Sequence, residues 1–148
     1  MPANTIPVFT DVPRLDMAGA VIGTTANTAT DGTGAGATRI FTAGADGSFV
    51  ESVTLKAIST IAATVVRIFY CSDTGTFTPG TTNTAVNSTM IAELAIAAFT
   101  ASNVLASPGY EISINRRLPP NTKLFITFGT STGAATTGFN PSVTGGDY

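Results

Sequence analysis

The sequence predicts an all-β protein, a sandwich or barrel of about eight antiparallel strands. From Ala18 onward, short β-prone runs are separated by Gly, Asn, Asp and Pro, which is the spacing of strands and turns in such folds. Thr is the commonest residue and fits pleated strands better than helices. Several runs alternate between apolar and polar residues, as strands with one buried face do. With 148 residues, the chain is long enough for one domain with a sizeable core.

Residues 1–16 are predicted to form an extended N-terminal arm. Three prolines, Pro2, Pro7 and Pro13, exclude a regular helix in this segment. The arm also carries apolar side chains that need a partner, namely Ile6, Val8, Phe9, Val12 and Leu15. Two arrangements stay open, an arm that lies on its own domain and an arm that reaches a neighbouring subunit. Residues 17–148 are predicted to form the sandwich domain.

The predicted strands follow the arm in order. They lie at residues 18–26, 38–43, 48–59, 62–71, 89–96, 110–115, 122–129 and 135–143. The ambiguous segment is 90–99, because its Ala, Leu and Glu content suits a helix. The alternation of Met90, Ala92, Leu94 and Ile96 with their neighbours favours a strand.

The stretch 119-PPNTKLFITFGT-130 alternates with one exception. Leu124, Ile126 and Phe128 share one face of the predicted strand, and Phe125 lies with polar residues on the other. A phenylalanine there predicts a second contact surface or an exposed apolar patch. Two long linkers, 27–37 and 72–88, are rich in Gly, Thr and Asn and are predicted to be surface loops, either mobile or used for contacts.

Charge is scarce in this chain. Charged residues make up 11% of it, and the net charge of −2 includes no basic run, so neither nucleic acid nor a membrane is expected as a partner. The free-energy cost of desolvating a surface of Thr, Ser and Asn is low compared with that of charged groups, which suits a subunit with many protein neighbours. The first residues do not resemble a signal peptide and no run approaches a membrane span, so we expect a chain made in the cytoplasm.

The residues offer little for catalysis or metal binding. The chain has no His, which removes the commonest general base and metal ligand, and its nine acidic residues are scattered. We expect no enzyme, no cofactor and no metal. The stretch 31-DGTGAG-36 lacks the ending of a phosphate-binding loop. Asp31, Asp46, Asp73 and Asp147 lie near glycines, where they either bind backbone N–H groups in turns or, if loops bring them together, calcium.

Three further features bear on partners. Cys71 ends an apolar run and is interpreted as a small buried hydrophobe. The basic pair Arg116 and Arg117 is either solvated or paired with an acidic neighbouring subunit. Four aromatic residues outside the alternating runs are candidates for a sugar-stacking platform, although the chain has no Trp: Phe77, Phe99, Phe139 and Tyr148.

A family resemblance rests on five segments: 48-SFVESVTLKAIS-59, 63-ATVVRIFYC-71, 93-ELAI-96, 117-RLPPNTKLFITFGT-130 and 143-VTGGDY-148. Together they resemble small virion proteins of tailed bacteriophages, the capsid decoration or cement proteins. The resemblance spans residues 48–148. It implies a jelly-roll-like β-sandwich that forms homo-oligomers on the capsid exterior and clamps adjacent major capsid proteins after assembly in the host cytoplasm.

On this basis we expect a structural protein of the virion. The predicted contact residues are Ile6, Pro7, Val8, Phe9, Val12, Pro13, Leu15, Arg116, Arg117, Phe125 and Tyr148. The alternative is a carbohydrate-binding module of a head fibre or tail accessory protein. An enzyme is the third hypothesis, and it lacks an identifiable acid-base pair.

Overall fold

The computed structural model describes residues 12–17, 22–133 and 138–148. These residues form eight β-strands and no α-helix. The strands are β1 (Val12–Met17), β2 (Thr38–Thr42), β3 (Ser48–Ala57), β4 (Thr64–Cys71), β5 (Ser88–Ile96), β6 (Gly109–Leu118), β7 (Lys123–Phe128) and β8 (Phe139–Asp147).

The strands form two antiparallel sheets of four strands each. The first sheet has the order β1-β8-β3-β6, and the second has the order β2-β7-β4-β5. The strands pair in a nested order around the β4–β5 connection: β4 with β5, β3 with β6, β2 with β7 and β1 with β8. Successive pairs in this order belong alternately to the second and the first sheet. The chain is therefore one long hairpin rolled into a sandwich, which is the jelly-roll arrangement. The predicted all-β, jelly-roll-like sandwich of about eight strands is confirmed.

The main core lies between the two sheets, where the alternating apolar residues of both meet. Phe139 of β8 stacks on Phe128 of β7 with ring centroids 5.5 Å apart, and Tyr110 of β6 meets the Phe139 ring edge-on. Each large apolar side chain buried here contributes about 1.5–3 kcal/mol. The strand residues that fill this core include Val50, Val53, Leu55, Val66, Ile68, Leu124, Ile126 and Val143.

Seven of the eight predicted strands overlap an observed one, and the ambiguous segment forms strand β5 rather than a helix. The prediction of a strand at residues 18–26 is wrong over its described part, because residues 22–26 make only a single bridge, from Ile22 to Phe139. Gly23, with φ of +94°, turns the chain away immediately afterwards.

The eighth strand is found instead in the segment predicted to be an arm. Residues 12–17 form β1, the edge strand of the first sheet, so the sandwich begins no later than Val12. Pro13 has no N–H group, and an edge strand tolerates it because the outer side of such a strand has no neighbouring strand to bond. Residues 1–11, the remainder of the predicted arm, lie outside the described residues.

An ionic cluster fastens β1 to both sheets. Arg14 donates from Nη1 to Asp147 Oδ1 of β8 at 2.9 Å and to the Thr42 carbonyl of β2 at 3.0 Å. Its guanidinium carbon lies 4.5 Å from the centre of the Phe41 ring, a cation–π contact. Burial by itself would raise the pKa of the Asp147 carboxyl, but hydrogen bonds from Ser48 and Arg14 and the charge of Arg14 lower that pKa below its usual value.

We expect the substitution Asp147→Asn to lower the free energy of unfolding by about 2 kcal/mol at neutral pH, because it removes charge-assisted hydrogen bonds. In the wild type this contribution is present above the usual carboxyl pKa of about 3.9 and is lost as pH falls through the lower pKa of the folded state. The variant has no such contribution to lose. Urea unfolding between neutral and acidic pH measures both effects.

The control is Asp46→Asn, which changes an exposed Asp in the turn between β2 and β3. We expect this variant to match the wild type throughout. Equal stability of the Asp147 and Asp46 variants at neutral pH would show that the cluster contributes nothing.

Candidate interaction surfaces

The outer face of the second sheet is covered by the chain itself over β7 and the end of β4. Phe125 of β7 and Phe69 of β4 point away from the main core, and their rings stack 5.0 Å apart. The Phe77 ring, from the linker after β4, lies 5.5 Å from the Phe125 ring. Together with Ala37 and Cys71 these residues form a second, smaller apolar cluster.

Phe125 therefore belongs to the interior and not to a contact surface. Its side chain is 0% exposed, and every residue of β7 is buried. The prediction that Phe125 is an interface residue is therefore wrong. Alternation correctly placed Phe125 on the face opposite Leu124 and Ile126, but the sequence did not show that loops cover that face.

The cover consists of the two long linkers, which bind one another. Asn83 donates from Nδ2 to the carbonyl oxygens of Gly32 at 2.7 Å and Gly34 at 3.0 Å. Within the first linker, Asn27 donates from Nδ2 to the Thr33 carbonyl at 2.8 Å. Side-chain amides thus satisfy backbone carbonyls that regular structure leaves unpaired. The linkers were predicted to be surface loops, and their hydrogen bonds make them a fixed layer over the second sheet.

A buried lysine fastens the second linker at its start. Lys123 is 2% exposed, and its ammonium group donates to the Asp73 carbonyl oxygen. The same group lies 3.8 Å from the Asp73 carboxylate and 3.4 Å from the Asn121 carbonyl. The charge of Lys123 is thereby paired, as burial of an ammonium group requires. The linker that carries Phe77 consequently leaves the sheet at a defined angle.

The other ligand-binding candidates have structural contacts. In the glycine-rich stretch 31–36, the Gly32 and Gly34 carbonyls accept hydrogen bonds from Asn83. Asp31 accepts from the Thr33 backbone N–H at 3.0 Å, and Asp73 accepts from the Gly75 N–H at 2.8 Å, so both cap turns. Across residues 12–17, 22–133 and 138–148, no group of three His, Cys, Asp or Glu side chains is placed to hold a metal ion.

The four candidate aromatic residues do not form one platform. Phe139 is buried in the main core, whereas Phe77 is packed on the second apolar cluster. Phe99 packs against the main core beside Ile61, with which it forms a backbone bridge. Tyr148 lies at the other end of the sandwich, where Arg117 contacts its ring.

The outer face of the first sheet is the open face, because no described segment of the chain crosses it. The Arg14 side chain points inward, toward Phe41. Because successive side chains of a strand point to opposite faces, Pro13, Leu15 and Met17 of β1 point outward. Cross-strand neighbours share a face, so the register extends this surface through β8, β3 and β6. The first row is Pro13, Gly146, Phe49 and Arg117, and the second is Leu15, Thr144, Ser52 and Ser113. The third row is Met17, Ser142, Thr54 and Glu111, and the fourth is Asn140, Lys56 and Gly109.

Several predicted contact residues lie on or beside this open face. Val12 and Leu15 are 57% and 62% exposed, and Pro13 is also exposed. Arg116 and Arg117 are exposed on β6, and the Arg117 guanidinium carbon lies 5.7 Å from the Tyr148 ring centre. Ile6, Pro7, Val8 and Phe9 lie outside the described residues.

The sequence reasoning missed two members of the open face. Met17 is 73% exposed, and Phe49 is partly exposed beside Arg117 in the register. The alternation of Pro13, Leu15 and Met17 was a signal that could have identified Met17 as a surface residue of a strand. The prolines of residues 1–16 led instead to the prediction of an extended arm. In the sequence Phe49 has the same parity as Val53 and Leu55, which are buried, but the register shift between Val50 and Ser52 places Phe49 on the opposite face.

Comparison with known proteins gives a loose structural similarity and nothing at the level of sequence families. No family model and no curated protein matches the chain. The chain is similar to a crystal structure of the infectious bursal disease virus particle, with 17% identity and a TM-score of 0.35. It is also similar to a mutant VP2 protein of infectious bursal disease virus in derived particles, with 16% identity and a TM-score of 0.33. The alignments cover 92% of this chain but 30% and 31% of those chains.

Among the described residues there is no helix with the length and hydropathy that crossing a membrane requires.

We expect Asn83→Ala to loosen the cover over the second sheet. It removes the bonds to Gly32 and Gly34, so local opening should become easier by about 2 kcal/mol. Cys71, the chain's single cysteine, is 0% exposed beneath this cover and reports such opening. Its reaction with a thiol reagent under native conditions should accelerate about thirtyfold.

Val86→Ala is the matched control, because Val86 belongs to the same linker and is 98% exposed. Its Cys71 labelling rate should equal that of the wild type. If Asn83→Ala also labels at the wild-type rate, the Asn83 hydrogen bonds do not hold the cover in place.

Proposed function

We propose that this chain is a non-enzymatic structural protein that decorates the exterior of a tailed-phage capsid, with its open face docked on the major capsid protein. The observation that carries the proposal is the asymmetry of the sandwich. The linkers cover the second sheet over β7 and the end of β4, whereas no described segment covers the outer face of the first sheet. A sheet face of this extent, with exposed apolar side chains at its edge, is typical of a surface that other proteins cover.

The size of the open face suits a specific contact. Four strands about 4.8 Å apart, with residues that rise about 3.4 Å each, give a surface of roughly 19 by 30 Å. Several hundred Å² on one partner approaches the roughly 800 Å² that each side buries in a specific interface. Additional contacts from the loops at the sandwich ends would complete such an area.

The chemistry of the open face also suits burial. The outward residues of β8, a central strand, are Asn140, Ser142, Thr144 and Gly146, and none of them is charged. Hydroxyl and amide groups cost far less to desolvate than ions do. Charged side chains are exposed on β3, at Glu51 and Lys56, and on β6, at Glu111 and Arg117. The uncharged outward row of β8 resembles the core of a protein interface, from which charged residues are depleted.

Decoration would stabilise a capsid through binding alone. A protein that binds the assembled shell and not its separated subunits lowers the free energy of the shell by mass action. Each bridge between adjacent capsid subunits adds interface without covalent chemistry. A chain without His and with few ionised residues is adequate for this role, because the role requires contact area and no reacting group. The family resemblance over residues 48–148 supports the same assignment.

We expect Ser142→Arg to reduce the number of copies bound per head by about tenfold or more, because an unpaired guanidinium would be buried in the centre of the contact. The measurement is quantitative mass spectrometry of heads of the encoding phage, prepared without the chain and then incubated with purified variants. Thr81→Arg adds the same charge to an exposed position on the covering linker and should bind like the wild type.

Two results would overturn the proposal. One is wild-type occupancy by the Ser142 variant, which would remove the open face from the contact. The other is failure of the wild-type chain to bind heads together with binding to a host polysaccharide, which would favour the carbohydrate-binding alternative.

A further inference from the structure

The four edge strands of the sandwich differ in how they are protected from pairing with other strands. β2, β5 and β6 each shift register against their inner neighbour, at Arg39/Phe41, Ile68/Phe69 and Val50/Ser52 respectively. β6 also contains Asn115 with φ of +47° and two exposed arginines. Bulges and charges of this kind prevent an edge from accepting a further strand.

The fourth edge strand, β1, has no bulge, and its two charged residues, Arg14 and Asp16, are hydrogen-bonded to each other. It pairs with β8 through six consecutive residues without a register shift, and no other described strand lies on its far side. Pro13 has no N–H, so its nitrogen must face away from β8. Alternate residues of an antiparallel strand direct their backbone groups to the same side. The N–H and C=O groups of Leu15 and Met17 therefore also face away from the sheet.

We propose that β1 pairs with β1 of a second copy of this chain, antiparallel and with Leu15 opposite Leu15, to join two first sheets into one eight-stranded sheet. The two Leu15 residues would exchange N–H···O bonds across the two-fold axis. Each Met17 would donate its N–H to the Pro13 carbonyl of the other copy. The missing N–H of Pro13 leaves only the opposing Met17 carbonyl without a strand donor.

The side chains are complementary in this register and in no adjacent one. Arg14, which is already hydrogen-bonded to Asp16 of its own strand and to Asp147, would lie opposite Asp16 of the other copy, and Pro13 would lie opposite Met17. Charges would thus face opposite charges, and apolar groups would face apolar groups. A shift by two residues places Arg14 against Arg14 or Asp16 against Asp16, and like charges directly opposite are unfavourable. Charge complementarity thus selects a second copy of this chain as the occupant.

On its inner side, β1 borders an open groove that could take the inward side chains of the added strand. A groove of about 570 Å³ opens between β1 and β2, lined by residues Arg14 to Met17 and Arg39 to Thr42. Arg14 and Asp16 point into this groove, where their counterparts from the second copy would also lie. Two apolar side chains that are exposed on β1, Leu15 and Met17, would gain apolar neighbours along the seam, namely Leu15 and Pro13 of the other copy.

The pairing is expected to be weak. A single six-residue strand on each copy buries much less than the 1,200 Å² or so that marks the lower limit of standard interfaces. We therefore expect a dimer whose population depends on concentration and which becomes complete where many copies lie side by side. The pairing concerns contacts between copies and is independent of whether the chain binds a capsid.

The first test compares two substitutions at one position by sedimentation equilibrium, from about 1 µM to about 1 mM. Leu15→Pro removes the central N–H on the outer side of β1 and leaves the bonds to β8 intact, so the dimer dissociation constant should rise at least about tenfold. Leu15→Thr keeps the N–H and should dimerise within about threefold of the wild type. A wild type that stays monomeric throughout, or equal weakening by both variants, would overturn the proposal.

The second test measures the register of the two β1 strands directly and keeps every backbone N–H group of β1. In Leu15→Cys the two thiols would face each other with Cα atoms about 5.5 Å apart, within disulfide range. In Met17→Cys the equivalent positions are offset by about 13 Å along the strands. Mild oxidation should cross-link only the first variant into a covalent dimer, because native Cys71 is buried. Equal cross-linking of both variants, or of neither, would refute the register.

Discussion

The architecture depends on one constraint, which is that β4 and β7 of the second sheet carry large apolar side chains on both faces. One face of each strand fills the main core, and the other face presents Phe69, Cys71 and Phe125 to the outside. A jelly roll of two sheets covers only the inner faces. The second layer must therefore come from the connections, and the two long linkers provide it through Phe77 and the Asn83 hydrogen bonds. Among the described residues, the first sheet has no comparable outer apolar cluster, and no described segment covers its outer face.

Much of the fold was predictable from the sequence because strand periodicity is a local property. The buried parity of Leu124, Ile126 and Phe128 and the strand identity of residues 90–96 were both correct. β1 was missed because proline signals an irregular segment unless the edge position of the strand is already known. The burial of Phe125 could not be predicted, since it depends on where two polar linkers fold back. Such contacts arise from the tertiary structure and leave no periodic pattern.

The Arg14 cluster connects the fold to the surfaces from which function is proposed. It holds an edge strand with three exposed apolar residues in register with β8 while it contacts β2 of the opposite sheet. An edge strand anchored by charge-assisted hydrogen bonds can present its free side to a partner without fraying. The same strand borders the open face, so pairing between copies would extend that face across two molecules and enlarge the area that can contact a shell.

We propose that the first sheet, and not the second, faces other proteins in the assembled state. Two exposed methionines report on this directly, Met17 on β1 at 73% exposure and Met90 on β5 at 39%. Their oxidation by peroxide, measured by mass spectrometry in the dilute chain and in assembled heads, compares the two sheets within one sample. If the first sheet makes the contacts, assembly slows the oxidation of Met17 and leaves that of Met90 unchanged. Protection of Met90 with undiminished oxidation of Met17 would contradict it.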